Sequence, residues 1–219
     1  ASYDKETGIA RYSAAVEKPS YTYATGSSAV SLTVSFSLDM STMPKSPFTD
    51  VVAGSWYFDA ALYASSHNLM LGTSPTEFSP NITMTRGMLV TVLYRMNGSP
   101  SVSGKTPFTD VRTDEWYSAA VLWAYQNGIV TGMSDTTFAP IDNVTREQMA
   151  TILFRYTKTA APDKAKASAD LSGFADAGSV NDWAVDAMRW AVGQKLIAGI
   201  TLEQSVYLQP RGNATRAQA

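Results

Sequence analysis

The chain has 219 residues, 17 Lys and Arg against 19 Asp and Glu for a net charge of −2, 45% hydrophobic and 16% charged residues, one histidine and no cysteine. That composition is globular rather than disordered, and without a Lys/Arg-rich run it argues against nucleic-acid binding and against docking on an anionic membrane. Disulfides, thiol nucleophiles, Cys-based zinc sites and His-rich metal sites are excluded, and no apolar stretch reaches the length of a transmembrane helix.

Residues 1–43 come first. Tyr21–Thr25, the Gly26-Ser27 turn and Val30–Leu38 read as a β-hairpin, with Leu32, Val34, Phe36 and Leu38 alternating with Ser or Thr as in a half-buried strand. Two strands alone are marginal, so this segment is expected to be the end of an upstream β-rich domain or to pair with another chain.

A repeat follows. Phe48-Thr49-Asp50-Val51 returns as Phe108-Thr109-Asp110-Val111, Trp56-Tyr57 as Trp116-Tyr117, Gly72 as Gly132, Thr85-Arg86 as Thr145-Arg146 and Arg95 as Arg155, all sixty residues apart. Phe78-Ser79-Pro80 becomes Phe138-Ala139-Pro140 at the same offset, and the Ala60-Ala61 pair returns as Ala119-Ala120, shifted by one. A third copy reads Phe174-Ala175-Asp176, Trp183, Ala187, Gly199, Pro210 and Thr215-Arg216, and stops early in its second helix. The copies run over 48–97, 108–157 and 174–219, the last expected to be truncated; a Gly98–Pro107 turn-rich linker and an Ala/Lys/Asp-rich 157–173 stretch separate them.

Each copy reads as helix, loop, helix. In the first, Ser55 is placed as N-cap of a helix from Trp56 to about Asn68, with Trp56, Ala60, Tyr63 and Ala64 at helical spacing. In the second, Asn127-Gly128 forms a left-handed C-cap. Gly72 and Gly132 permit a positive φ or a close approach. Thr85 and Thr145 cap the second helices; Thr145-x-x-Gln148 and Thr215-x-x-Gln218 fit a capping box, and Thr85-x-x-Met88 does not. The apolar stripes are Leu89, Val92, Leu93, Met96 and Met149, Ile152, Leu153, Tyr156. One copy has too small a core to stand alone, so the second helices are expected to pack about a common pseudo-threefold axis.

An arginine at the first helical position faces the positive end of the helix dipole, yet Arg86, Arg146 and Arg216 recur there. Either each pairs with Asp50, Asp110 or Asp176 of a Phe-x-Asp segment, or each joins the helix N-terminus in binding an anion such as a carboxylate. Trp56, Trp116 and Trp183 are either core anchors or the wall of a groove between copies that stacks on sugar. Asp59 and Glu77 do not recur and read as solvated surface. His67 reads as a helix-end residue, and no catalytic set, phosphate loop, EF-hand or cofactor motif is present.

The pattern F-x-D-V, W-Y, A-A, G, F-x-P, T-R, R resembles the S-layer homology (SLH) domain of bacterial surface proteins, over residues 48–219. The resemblance implies a mainly α fold, a pseudo-trimeric bundle of three helix-loop-helix repeats, here preceded by the short β segment. It implies a secreted, non-catalytic anchor at the bacterial cell surface, without cofactor or metal, binding an acidic, often pyruvylated secondary cell-wall polysaccharide in grooves between repeats. The ligand-binding candidates are Arg86, Arg146, Arg216, Asp50, Asp110, Asp176, Trp56, Trp116, Trp183, Gly72, Gly132 and Gly199. The family's T-R-A-E becomes Thr85-Arg86-Gly87-Met88, Thr145-Arg146-Glu147-Gln148 and Thr215-Arg216-Ala217-Gln218, so Thr and Arg carry over and the closing Glu does not; copy three, with Trp183-Ala184 and Asp176-Ala177, departs furthest. The alternative is a structural subunit of an S-layer or filament, assembling with other copies through repeat and strand contacts.

Overall fold

The computed structural model describes residues 2–4, 9–11, 45–166 and 169–219. It is mostly helical. Strands β1 (Ser2–Asp4) and β2 (Ile9–Arg11) pair antiparallel with Tyr3 opposite Ala10; the strand expected over Val30–Leu38 lies outside the described residues. Copy one supplies α1 (Phe58–Ser66) and α2 (Arg86–Met96), copy two α3 (Ser118–Gln126) and α4 (Arg146–Ala160), and copy three α5 (Val185–Gly193). In copy three the position of the second helix holds a 3-10 turn, Arg216–Gln218, at the last residues of the sequence. The extra residues before Pro210 form a hairpin of β3 (Ile200–Leu202) and β4 (Ser205–Tyr207), with Glu203 left-handed at φ 56°.

The second helices start where expected. Thr85 and Thr145 are extended, and their hydroxyls accept from Met88 N and Gln148 N. Gln148 Oε1 in turn accepts from Thr145 N at 3.1 Å, closing the capping box; Gln218 Oε1 accepts from Thr215 N in the same way. The first helices start later than expected. Ser55 is not the cap of a helix from Trp56: its carbonyl accepts from Phe58 N at 3.0 Å in a turn, and α1 begins at Phe58. The buried face of α1 is therefore Phe58, Ala61 and Leu62, with Ala60 exposed. In α2, Leu89 and Leu93 are buried, but Met96 is exposed.

Second helices pack on the first helix of the following copy, α2 on α3 and α4 on α5. The strips that precede them bind the copies together. Met84 N donates to Ala214 O, Val144 N to Met84 O, and Ala214 N to Val144 O, at 2.8 to 2.9 Å. These three hydrogen bonds close a ring among Met84, Val144 and Ala214, all fully buried. Around it, Arg86 N and Gly87 N donate to Asp142 O and Pro140 O of copy two. Arg146 N and Glu147 N donate to Gly212 O and Pro210 O of copy three, and Arg216 N and Ala217 N to Ile82 O and Pro80 O of copy one. The donors that a helix start leaves unsatisfied thus become the joints between copies.

Candidate functional site

Each Phe-x-Asp segment fixes the loop of its own copy. Asp50 accepts from Phe78 N and Ser79 N, Asp110 from Phe138 N and Ala139 N, and Asp176 from Leu208 N and Gln209 N, at 2.6 to 2.9 Å. The second residue of each pair, Ser79, Ala139 or Gln209, is left-handed, at φ 56°, 59° and 50°. A carboxylate bonding two successive amides holds a backbone that a side chain disfavours. The three Asp residues line neither of the grooves described below.

Of the two alternatives for the arginines, the direct Arg–Asp pairs are not formed: among the described residues the only ion pair is the exposed Arg112–Asp114. Each arginine instead crosses to the next copy and takes the carbonyl of the residue whose N–H the aspartate holds. Arg86 Nε donates to Phe138 O and Arg146 Nε to Leu208 O, both at 2.8 Å, and Arg216 Nε donates to Phe78 O at 3.0 Å. The Arg86 and Arg216 guanidinium carbons lie 4.7 and 4.8 Å over the rings of Phe138 and Phe78, a cation–π contact that Leu208 denies Arg146. All three arginines are 5 to 6% exposed. Burial lowers each pKa from its ordinary value, opposed by Asp142 and Asp110 for Arg86, by Asp176 for Arg146 and by Asp50 for Arg216. Solvation lost on burial disfavours the charge, and the nearby carboxylates restore part of it.

The tryptophans are not core anchors: Trp56, Trp116 and Trp183 are 73, 57 and 55% exposed. Trp56 and Trp116 stand edge-on to Tyr57 and Tyr117 at 5.3 and 5.1 Å. The core role at this place belongs to residues just downstream, Phe58 and Tyr117 among them.

Two corresponding grooves bring these parts together. The first, about 370 Å³, has Arg86 of copy one, Gly132, Met133, Gln148 and Arg155 of copy two, and Trp183 of copy three. The second, about 360 Å³, has Arg216 of copy three, Gly72, Thr73, Met88 and Arg95 of copy one, and Trp116 of copy two. Gly72 and Gly132 are held in close packing against their own loops, since a Cβ there would stand 2.5 Å from Ser74 O, or 2.5 Å from Phe108 Cε1. Gly132 also needs its φ of 79°. Arg146, Gly199 and Trp56 line neither groove, and a Cβ on Gly199 would meet Val206 of the inserted hairpin at 2.6 Å. Arg95 and Arg155 were legible as part of the repeat but not as groove residues. Their signal was cationic recurrence within an otherwise apolar helical stripe.

Among the described residues no cluster of His, Cys, Asp and Glu suited to a metal ion occurs, and no helix is long and apolar enough to cross a membrane. Interlocking copies that set exposed tryptophans beside buried arginines define a module of the tandem-repeat class. The family model of the S-layer homology domain matches residues 47–87, 107–150 and 173–219, more than half of the sequence, and the chain belongs to that family. It is 34% identical over 173 residues to an endoglucanase of Bacillus sp. (strain KSM-635), covering 79% of this chain and 18% of that protein. It is 29% identical over 172 residues to an amylopullulanase of Thermoanaerobacterium thermosulfurigenes, covering 78% of this chain and 9% of that protein. A surface-layer 125 kDa protein of Lysinibacillus sphaericus is 32% identical over 145 residues, 66% of this chain and 12% of its own length. The chain therefore spans less than a fifth of these relatives. Its family membership and its surface-layer relatives point to the cell surface or cell wall, with the domain serving as a non-catalytic anchor.

Proposed function

We propose that the chain holds a larger protein at the cell surface by binding an acidic secondary cell-wall polysaccharide, such as a pyruvylated one, in the grooves between its copies. The copies, over 48–97, 108–157 and 174–219, form a pseudo-trimeric bundle in this reading, supported by the cyclic bonds among Met84, Val144 and Ala214. Residues 1–43 belong to what the module anchors. The observation that carries the reading is the twofold occurrence of one groove plan: a buried arginine from one copy, a glycine floor and a second arginine from the next, and an exposed tryptophan from the third. Arginine suits a carboxylate, and an exposed indole face suits the C–H face of a sugar ring. The three Asp residues support the grooves from behind.

Co-sedimentation with bacterial cell-wall sacculi tests this. Binding is expected to intact sacculi and to vanish when the acidic polysaccharide is extracted; equal binding to both preparations contradicts the reading.

A further inference from the structure

The methionines of the copies divide by exposure. Met70, Met84, Met149 and Met188 are buried in the core and Met88 is half-buried, whereas Met96 and Met133 are 52 and 55% exposed. Met96 ends α2 and lines neither groove. Met133 lines the first groove with Arg86, Gln148 and Trp183. Its backbone N–H is fixed to Thr137 O at 2.7 Å, one residue after Gly132, so an anchored loop presents the thioether. Oxidation of methionine follows the exposure of its sulfur.

The sulfur has a neighbour suited to its oxidised form. Gln148 Oε1 is used in the helix cap, while Gln148 Nε2 stands 3.7 Å from Met133 Sδ, its one acceptor among the described residues. A thioether is a weak acceptor, and a sulfoxide oxygen is a polar one. The second groove lacks this pair. Thr73 stands at the place of Met133, its hydroxyl paired with Ser79 Oγ at 2.6 Å, and Met88 stands at the place of Gln148.

Resting on the polysaccharide-binding function above, we propose that Met133 is a site of reversible oxidation that weakens the hold of the first groove on its glycan. The oxidant is a peroxide. The thioether lone pair attacks one peroxide oxygen, and the S–O bond forms as the O–O bond breaks. The proton of the transferred oxygen passes to the leaving oxygen, which departs as water or an alcohol. Sulfur gives up two electrons and the peroxide takes them. The new oxygen accepts from Gln148 Nε2, and a flexible apolar chain becomes polar and chiral. The groove that Trp183 walls then offers less apolar surface to the C–H face of a sugar. Sulfoxide reductases return the thioether, so binding recovers with it.

The full chain is treated with hydrogen peroxide and mapped by peptide mass spectrometry, and its affinity for polysaccharide-bearing sacculi is measured before and after. Met133 is expected to gain an oxygen well ahead of the buried Met70, Met84, Met149 and Met188. The affinity should fall at least about threefold, the scale of one lost thioether contact, and methionine sulfoxide reductase should restore it. Each variant is read against its own untreated sample. Met133→Leu should show no fall, and Met96→Leu, outside the grooves, the same fall as the parent. The side-chain amide signal of Gln148 in the 15N-labelled chain, assigned with Gln148→Glu, should move on oxidation of the parent and stay in Met133→Leu. Oxidation of Met133 no faster than that of the buried methionines overturns the proposal and leaves the anchoring function standing. So does an affinity that oxidation leaves unchanged, or an equal fall in Met133→Leu. Failure of the untreated chain to bind sacculi removes the function and the proposal together.

Discussion

An aspartate and an arginine can belong to one device without touching. Asp110 holds the N–H of Phe138 while Arg86 takes its carbonyl, so one residue of copy two is gripped from both sides. Asp110→Ala would strand the amides of Phe138 and Ala139 and release the left-handed backbone at Ala139. The expected loss is about 2–3 kcal/mol in urea unfolding, since bonds to a charged acceptor are worth more than neutral ones. Ala139→Gly relieves the positive φ and should change stability far less, or raise it by under about 1 kcal/mol; equal losses would show that the carboxylate does not hold the loop. That Asp and Arg form a recurrent set was legible in the sequence. Their indirect connection was not, because pairing opposite charges is the simplest inference from two recurrent residues and the intervening carbonyl carries no sequence signal.

At the scale of elements, the second helices were legible because Thr capping is chemistry of the side chain itself. Thr145→Ala, which removes one arm of a reciprocal box, should cost about 1 kcal/mol. Thr85→Ala, with no return bond from Met88, should cost less in the same denaturation experiment; the reverse order would assign no weight to the box. The first helices were misplaced by two residues because Trp56 fits a helical apolar stripe. Its ring is exposed, and the buried stripe runs through Phe58, Ala61 and Leu62. Spacing alone cannot separate an aromatic residue kept for a surface from one kept for a core. The hairpin of β3 and β4 was visible only as extra length between Gly199 and Pro210, though Ile200-Thr201-Leu202 and Val206-Tyr207 around Glu203-Gln204 carry strand propensity.

At the scale of the whole molecule, the copies are coupled by contacts that no single copy reveals, such as Arg216 to Phe78 O across 138 residues. Glu147 adds a joint of its own: it is buried, and its two oxygens accept from Asn181 Nδ2 and Asn181 N, just ahead of α5. Glu147→Ala should loosen α5 from α4, with about 2–3 kcal/mol lost and earlier amide exchange in α5 than in α2. Uniform exchange would contradict that joint. Groove formation depends on the same long-range closure, which is why tryptophan, glycine and arginine could be chosen from the repeat while their grouping into two grooves could not. The most direct measurement is sacculus binding by Trp116→Ala/Trp183→Ala beside the unaltered chain. Both side chains are more than half exposed, so stability should move by no more than about 0.5 kcal/mol per site. The account predicts that binding to polysaccharide-bearing sacculi is lost while the thermal transition is kept. Undiminished binding by the folded double variant would contradict it.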